Sequence, residues 1–285
     1  MRENIGQLLL SVTLSAGRSL TSKKTAAAAT TKAQFFYAQT VLFTCAFLLL
    51  LCFYATALAS VSLVTVLYGA AYGVLLISSQ WMYTISLKSG NTSLCTLVYS
   101  LGFVFPTLSG MVFWGERFMW SDALGLLFAV AVILLTAKTD SGATAPARTF
   151  LPFLMIATVS SGGLGILQKV QQSSGSAGEI GAFLLIAFGV AAVASLAAFL
   201  LCGQKAAPSM DVLLYPALTG VCFGGANLCN TLLAGRMQSA VFFPVQNIST
   251  ILFTAVCSAV LFKEKFTVKI ALSLLCGAIA VLFFS

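Results

Sequence analysis

Gly115-Glu116-Arg117-Phe118 closes one long apolar run, and Lys263-Glu264-Lys265-Phe266, 148 positions later, closes another. Each run is about as long as a bilayer core is thick, roughly 20 residues, and a further apolar run follows each charged elbow. The same offset pairs Lys88 with Arg236, Val112 with Val260, Ala123 with Ala271 and Leu124 with Leu272. Nearer the start, an offset of 145 pairs Thr13 with Thr158, Ser15 with Ser160, Gly17 with Gly162 and Lys24 with Lys169. Small drifts of offset are what loop insertions produce. The chain reads as a duplicated membrane protein.

Composition points the same way. Hydrophobic residues make up 59% of the 285-residue chain and charged residues 8%, against roughly 25% charged in ordinary soluble domains. Ten candidate spans follow: Asn4–Leu20, extendable to Lys24, Gln34–Ala57, Val61–Leu87, Asn91–Trp114 and Ser121–Lys138, then Phe150–Gln168, Glu179–Cys202, Asp211–Gly235, Ala240–Phe262 and Val268–Phe284. They read as helices, because hydrocarbon offers no partner to loose backbone groups and the runs lack the alternation of barrel strands. The expected fold is an all-α integral membrane protein with ten transmembrane helices. Residues 1–138 form a first five-helix repeat, the Ser-, Gly-, Ala- and Pro-rich stretch 139–149 a linker, and residues 150–285 a second repeat.

The start of the chain has the look of a signal peptide, but Ser11, Ser15, Arg18 and Ser22 fall at i, i+4, i+7 and i+11. That spacing draws one polar stripe down a helix, which a cleaved signal has no use for. A retained first helix is expected. The eight cysteines include no CxxC pair and the chain has no histidine, so neither a zinc site nor a disulfide framework is indicated. No cofactor and no metal are expected.

Five spans per half is an odd number, so the second half enters the membrane from the opposite face. An inverted repeat allows two packings of similar energy around one central site, which is what a carrier that opens alternately to either side requires. Ten spans put both termini on one face. Arg2, Arg117, Lys169 and Arg236 fall on that face and the other eleven basic residues opposite, which by the positive-inside rule places the termini outside.

Two five-helix halves, Gly115-Glu116-Arg117-Phe118 closing the fourth span, Lys263-Glu264-Lys265-Phe266 closing the ninth, and a short final span after each elbow resemble the drug/metabolite transporter superfamily, in its ten-helix EamA-like members. The resemblance covers essentially the whole chain. It departs from the usual pattern at Lys263, where a Gly is common. It implies a carrier whose central cavity is lined mainly by helices 1, 3, 4, 6, 8 and 9, with helices 5 and 10 peripheral. It also implies cytoplasmic termini, against the charge count, in a multi-pass protein of the plasma (inner) membrane.

Glu116 and Glu264 read as structural elbows, each capping the amide-rich start of the next helix, or as gates that pair with a charge in one state. The seven acidic residues all fall at span ends or in loops. A buried carboxylate of the kind that trades protons for cationic cargo is therefore missing, which favours facilitated diffusion or exchange over a multidrug cation pump. Arg18 sits on the polar stripe, and Lys24 is placed like Lys169. A charge at the bilayer centre costs at least about 2.5 kcal/mol, so Arg18 either faces a cavity or snorkels to the interface. Facing a cavity, it favours an anionic or zwitterionic cargo.

Uncharged polar residues make the third set: Gln80, Tyr83 and Thr84; Thr92, Thr96, Tyr99 and Phe103, on a stripe that Pro106 is expected to bend; Asn227 and Asn230; and Gln246, Asn247 and Thr250 after Pro244. Each serves either an interhelical hydrogen bond, worth about 0.6 kcal/mol, or a cavity wall. Asn and Gln have two-ended groups that are hard to satisfy in a helix seam. The candidate substrate-binding residues are thus Ser15, Arg18, Lys24, Gln80, Tyr83, Tyr99, Asn227, Asn230, Gln246 and Asn247. Gly69, Gly73, Gly162, Gly163, Gly165, Gly220, Gly224 and Gly225 lie inside spans, where small residues let helices approach.

The functional expectation is a secondary-type carrier of a small polar metabolite, such as an amino acid or related solute. An exporter of amphipathic drugs and a non-transporting membrane scaffold or sensor are the alternatives. An enzyme would need paired carboxylates, a His–acid pair or a nucleophile with a base, and nothing matches. The partners expected are a small solute and the lipid bilayer, not nucleic acid, with the protein a monomer or homodimer.

Overall fold

The computed structural model describes residues 2–59, 61–89, 98–117, 119–136, 147–174, 176–202, 209–261 and 268–283. Among the described residues there is no strand, residues 98–100 are helical, and the longer α-helices are α1 (Arg2–Ala28), α2 (Lys32–Tyr54), α3 (Leu63–Ser89), α4 (Val104–Trp114), α5 (Trp120–Thr136), α6 (Ala147–Ser173), α7 (Ile180–Leu201), α8 (Met210–Arg236), α9 (Ser239–Leu261) and α10 (Val268–Phe283). Six stretches among these are long and apolar enough to cross a membrane: Lys32–Ala59, Leu63–Ser86, Leu151–Ser173, Ala177–Leu201, Met210–Arg236 and Ser239–Cys257. Val98–Trp114 and Trp120–Leu135 are apolar but shorter. The elbow at Glu264, Thr92 and Thr96, and most of the expected linker lie outside the described residues. The last three linker positions do not stay irregular, since α6 already begins at Ala147.

The chain forms two compact units, Met1–Ile77 with Val170–Gly235 and Ser78–Lys169 with Arg236–Ser285. Each draws on both sequence halves, so the repeats expected from sequence are not the compact bodies.

The first unit is organised by α2, α7 and α8. Helix α2 starts on a capping box in which Thr31 accepts from the Gln34 amide and the Gln34 side chain reaches back to the Thr31 amide. Tyr37 against Phe199, Phe43 against Phe188 and Tyr54 against Gly181 run α2 antiparallel to α7. Helix α3 packs on α7 through Gly69 and Gly73, one turn apart. A Cβ at Gly69 would lie 2.9 Å from the Phe183 carbonyl oxygen, and one at Gly73 would lie 2.7 Å from that of Ala187. Small residues let the two backbones approach this closely, and the seam supplies the contact. Ser62 caps α3, and Glu179, just before α7, accepts from both the Ser62 amide (3.1 Å) and its hydroxyl (2.8 Å).

The second unit joins the end of α3, α4, α5, the start of α6, α9 and α10. Helix α4 lies along α6 by fitting Gly102 against Thr158 and Ser161, Phe105 over Gly162 and Pro106 over Gly165. Pro106 lies inside the apolar helix Val98–Trp114, and the turn before it, Leu101–Phe103, tightens to 3-10 where the proline removes a backbone donor. Helices α5 and α10 stack Phe128 on Phe283 at 5.8 Å, and α9 meets α10 at Gly277, against Ile248 and Leu252.

Candidate functional site

The polar stripe of α1 has a partner. Ser11 donates to Asn230 Oδ1, the Arg18 guanidinium lies 3.8 Å from the centroid of the Phe223 ring, Thr21 accepts from Thr219 at 2.8 Å, and Lys24 Nζ lies 4.9 Å from the Tyr215 ring. Residue numbers rise along α1 as they fall along α8, so the two helices run antiparallel with the stripe as their seam. The opposite face of α1 exposes Ile5, Leu9 and Leu10. Helix α1 also outruns its expected end at Lys24, because Thr21 and Thr25 continue the bonded seam with Thr219.

Arg18 is half-buried rather than snorkelled out, with its cation over an aromatic face that is itself 4% exposed. Such a contact is worth about 0.5–2 kcal/mol. Asn227, one turn from Phe223, accepts from the Tyr72 phenol at 2.5 Å and donates to the Phe223 carbonyl at 2.8 Å. Tyr72 is wholly buried. Ser15, half-buried, completes the stripe between Ser11 and Arg18. The α1–α8 seam therefore holds Arg18 and Asn230, with Lys24 at its exposed end; Ser15 lies on the same stripe of α1, and Asn227 pairs with Tyr72 of α3.

Tyr72 was not among the sequence candidates, and its partner lies 155 residues away. Removing its hydroxyl takes a buried donor from Asn227. Tyr72→Phe is expected to cost about 1–2 kcal/mol in equilibrium unfolding in detergent, and adding Asn227→Leu should cost less than the two single changes summed.

The second unit gathers a different group. Tyr83 and Tyr99 stack at 4.2 Å with 30° between their planes, over Leu154 and Val98. Ser79 shares a 2.8 Å hydrogen bond with the Tyr99 hydroxyl, and Asn247 donates to the Ser100 carbonyl at 2.9 Å. Gln80 and Gln246 are buried in this unit. Asn247 thus ties α9 to the segment before α4.

The elbow differs from expectation. Glu116 does not cap α5, the next helix; Asp122 does that, accepting from the Met119 amide at 2.8 Å. Glu116 instead reaches the start of α9, accepting from the Ser239 amide (2.7 Å), the Ser239 hydroxyl (3.2 Å) and the Ala240 amide (3.4 Å). Lys169 pairs with it at 2.9 Å, and both side chains are nearly excluded from solvent.

An apolar groove of about 530 Å³ lies in the first unit between Phe47, Leu58 and the α7 residues Leu185, Ile186, Gly189, Val190, Val193 and Ala194. It lacks a charged or hydrogen-bonding side chain and suits an acyl chain rather than a polar solute.

No protein-family model matches the chain, and no curated protein matches it in sequence. Among solved structures it is similar to one described only as "Crystal structure of protein", with a TM-score of 0.81 at 14% identity, covering 99% of this chain and 96% of that one. At that identity the likeness shows the fold alone.

Proposed function

We propose that the chain is a secondary-type transporter that carries a small carboxylate-bearing metabolite, an amino acid or related solute, across a membrane by alternating access. In this reading all ten helices span the bilayer as two inverted repeats, and the protein belongs with the ten-helix drug/metabolite transporters. One observation carries the reading: a cation held part-buried on an aromatic face, within a seam of Ser, Asn and Tyr side chains, on a helix whose other face is apolar. A purely structural helix has little reason to keep an arginine there, given the cost of a charge in hydrocarbon. A guanidinium edge offers paired donors that match a carboxylate. Six described stretches long and apolar enough to cross a membrane overlap six of the expected spans, which supports the topology.

Purified protein in liposomes tests this. Labelled L-alanine and L-glutamate should accumulate by counterflow, saturably, and more than tenfold faster than in empty liposomes, while a permanently cationic dye such as ethidium should not. Ethidium flux with no amino-acid flux would replace the reading with the drug-export alternative. No flux of either would leave a scaffold.

A further inference from the structure

We propose that Glu116 and Lys169 form a latch that closes in one state of the transport cycle and opens in the other, a role that rests on the alternating-access reading above. The latch is built from three separate pieces of the second unit. The end of α4 supplies Glu116, α6 supplies Lys169, and the turn into α9 supplies Met237, Ser239 and Ala240. Lys169 divides its ammonium between the Glu116 carboxylate at 2.9 Å and the Met237 carbonyl at 3.0 Å.

Local geometry is committed to this contact. Gly115 takes φ of 61°, the left-handed region that side chains resist, and the Glu116 amide turns back to the Gly110 carbonyl at 3.2 Å. A Cβ at Gly110 would overlap the carboxylate and approach the Ser239 Cβ to 2.8 Å. Gly110 therefore opens the space the carboxylate occupies, and Gly115 supplies the turn that carries the chain into it.

Serine alone suffices to cap a helix. Adding a carboxylate and a lysine, both almost buried, incurs desolvation that an ion pair only roughly recovers, so such pairs are poor stabilisers and good two-position devices. Position in the chain supports the switch. The compact units divide between Lys169 and Val170 and between Gly235 and Arg236, so both sides of the pair lie in the second unit within a few residues of its chain boundaries. A rearrangement that separates α6 from the α8–α9 turn must break it.

Hydrogen exchange with mass spectrometry on the purified full chain reads the latch without any solute. The segments 112–117 and 237–241 should open together with one rate, and Glu116→Gln should raise their open fraction at least tenfold while α2 and α7 keep their protection. Lys169→Gln should do the same, and serves should the first variant fold poorly. Independent opening of the two segments, or a change under threefold, overturns the latch. In liposomes, bridging Glu116→Cys to Ser239→Cys with a short reducible dithiol reagent should stop L-alanine counterflow, and dithiothreitol should restore it. Undiminished counterflow with the bridge in place shows a static cap and overturns the latch. Absence of any counterflow in the unmodified protein removes the transport reading instead, and the exchange result then decides the latch alone.

Discussion

Replacing Gly220 with valine is expected to destabilise the protein by about 3 kcal/mol or more, at or beyond the upper end of overpacking penalties. A Cβ at Gly220 would overlap the Leu42 carbonyl oxygen, with the Leu42 carbonyl carbon at 3.0 Å and the Cys45 Cβ at 3.1 Å. None of these atoms can rotate aside, because two are backbone and the third is fixed to it. Gly224, one turn on, faces Ala46 with its nearest atoms at 3.2–3.3 Å, so alanine there should cost distinctly less. Gly178 meets nothing within 4 Å and is the control. Unfolding titrations in mixed micelles should rank Gly220→Val far below Gly224→Ala and leave Gly178→Ala near wild type. A Gly220→Val protein with an unchanged midpoint would mean that α2 and α8 do not touch as described.

That seam shows what sequence could and could not disclose. Glycines one turn apart inside apolar runs at Gly69/Gly73 and Gly220/Gly224 announce close helix approach, and both pairs do meet backbone or β-carbons of a neighbour. Which neighbour was hidden, because helical periodicity fixes the face that is buried and not the element it is buried against. The same limit explains α1. The spacing of Ser11, Ser15 and Arg18 marks a polar stripe, whereas Phe223 and Asn230, over 200 residues away, complete it.

Where a residue's role is local, sequence came close. Pro106 signalled a local irregularity in its stripe, and the helix tightens to 3-10 at Leu101–Phe103 just before it. Glu116 was legible as a cap, since a carboxylate at a chain reversal suits free amides. The amides it found belong to α9, 123 residues on, and not to α5. Lys169 and the start of α9 cover it, which no local pattern announces. Compact units that interleave the two halves were likewise invisible, because repeats record ancestry of sequence and compactness records contacts.

Arg18→Ala should weaken carboxylate binding by about 10- to 100-fold, which corresponds to the roughly 1.5–3 kcal/mol of a hydrogen bond to a charged group. The side chain reaches the seam from one turn below Ser15 and rests on Phe223, so its removal empties a cation site and leaves the ring in place. Arg18→Lys keeps the charge but loses the flat fork that lies over the ring and grips two oxygens, and should fall between wild type and alanine. Phe223→Leu removes only the surface under the cation, worth about 0.5–2 kcal/mol, and combined with Arg18→Ala it should add almost nothing, since the pair acts through one contact. Lys24→Ala, at the exposed end of the seam, should cost less than threefold. The readout is the half-saturating concentration of L-glutamate counterflow, with gel-filtration profile and helical circular dichroism confirming fold. A well-folded Arg18→Ala protein that carries L-glutamate with unaltered half-saturation would take the cation out of the site, and with it the reason for expecting a carboxylate in the cargo.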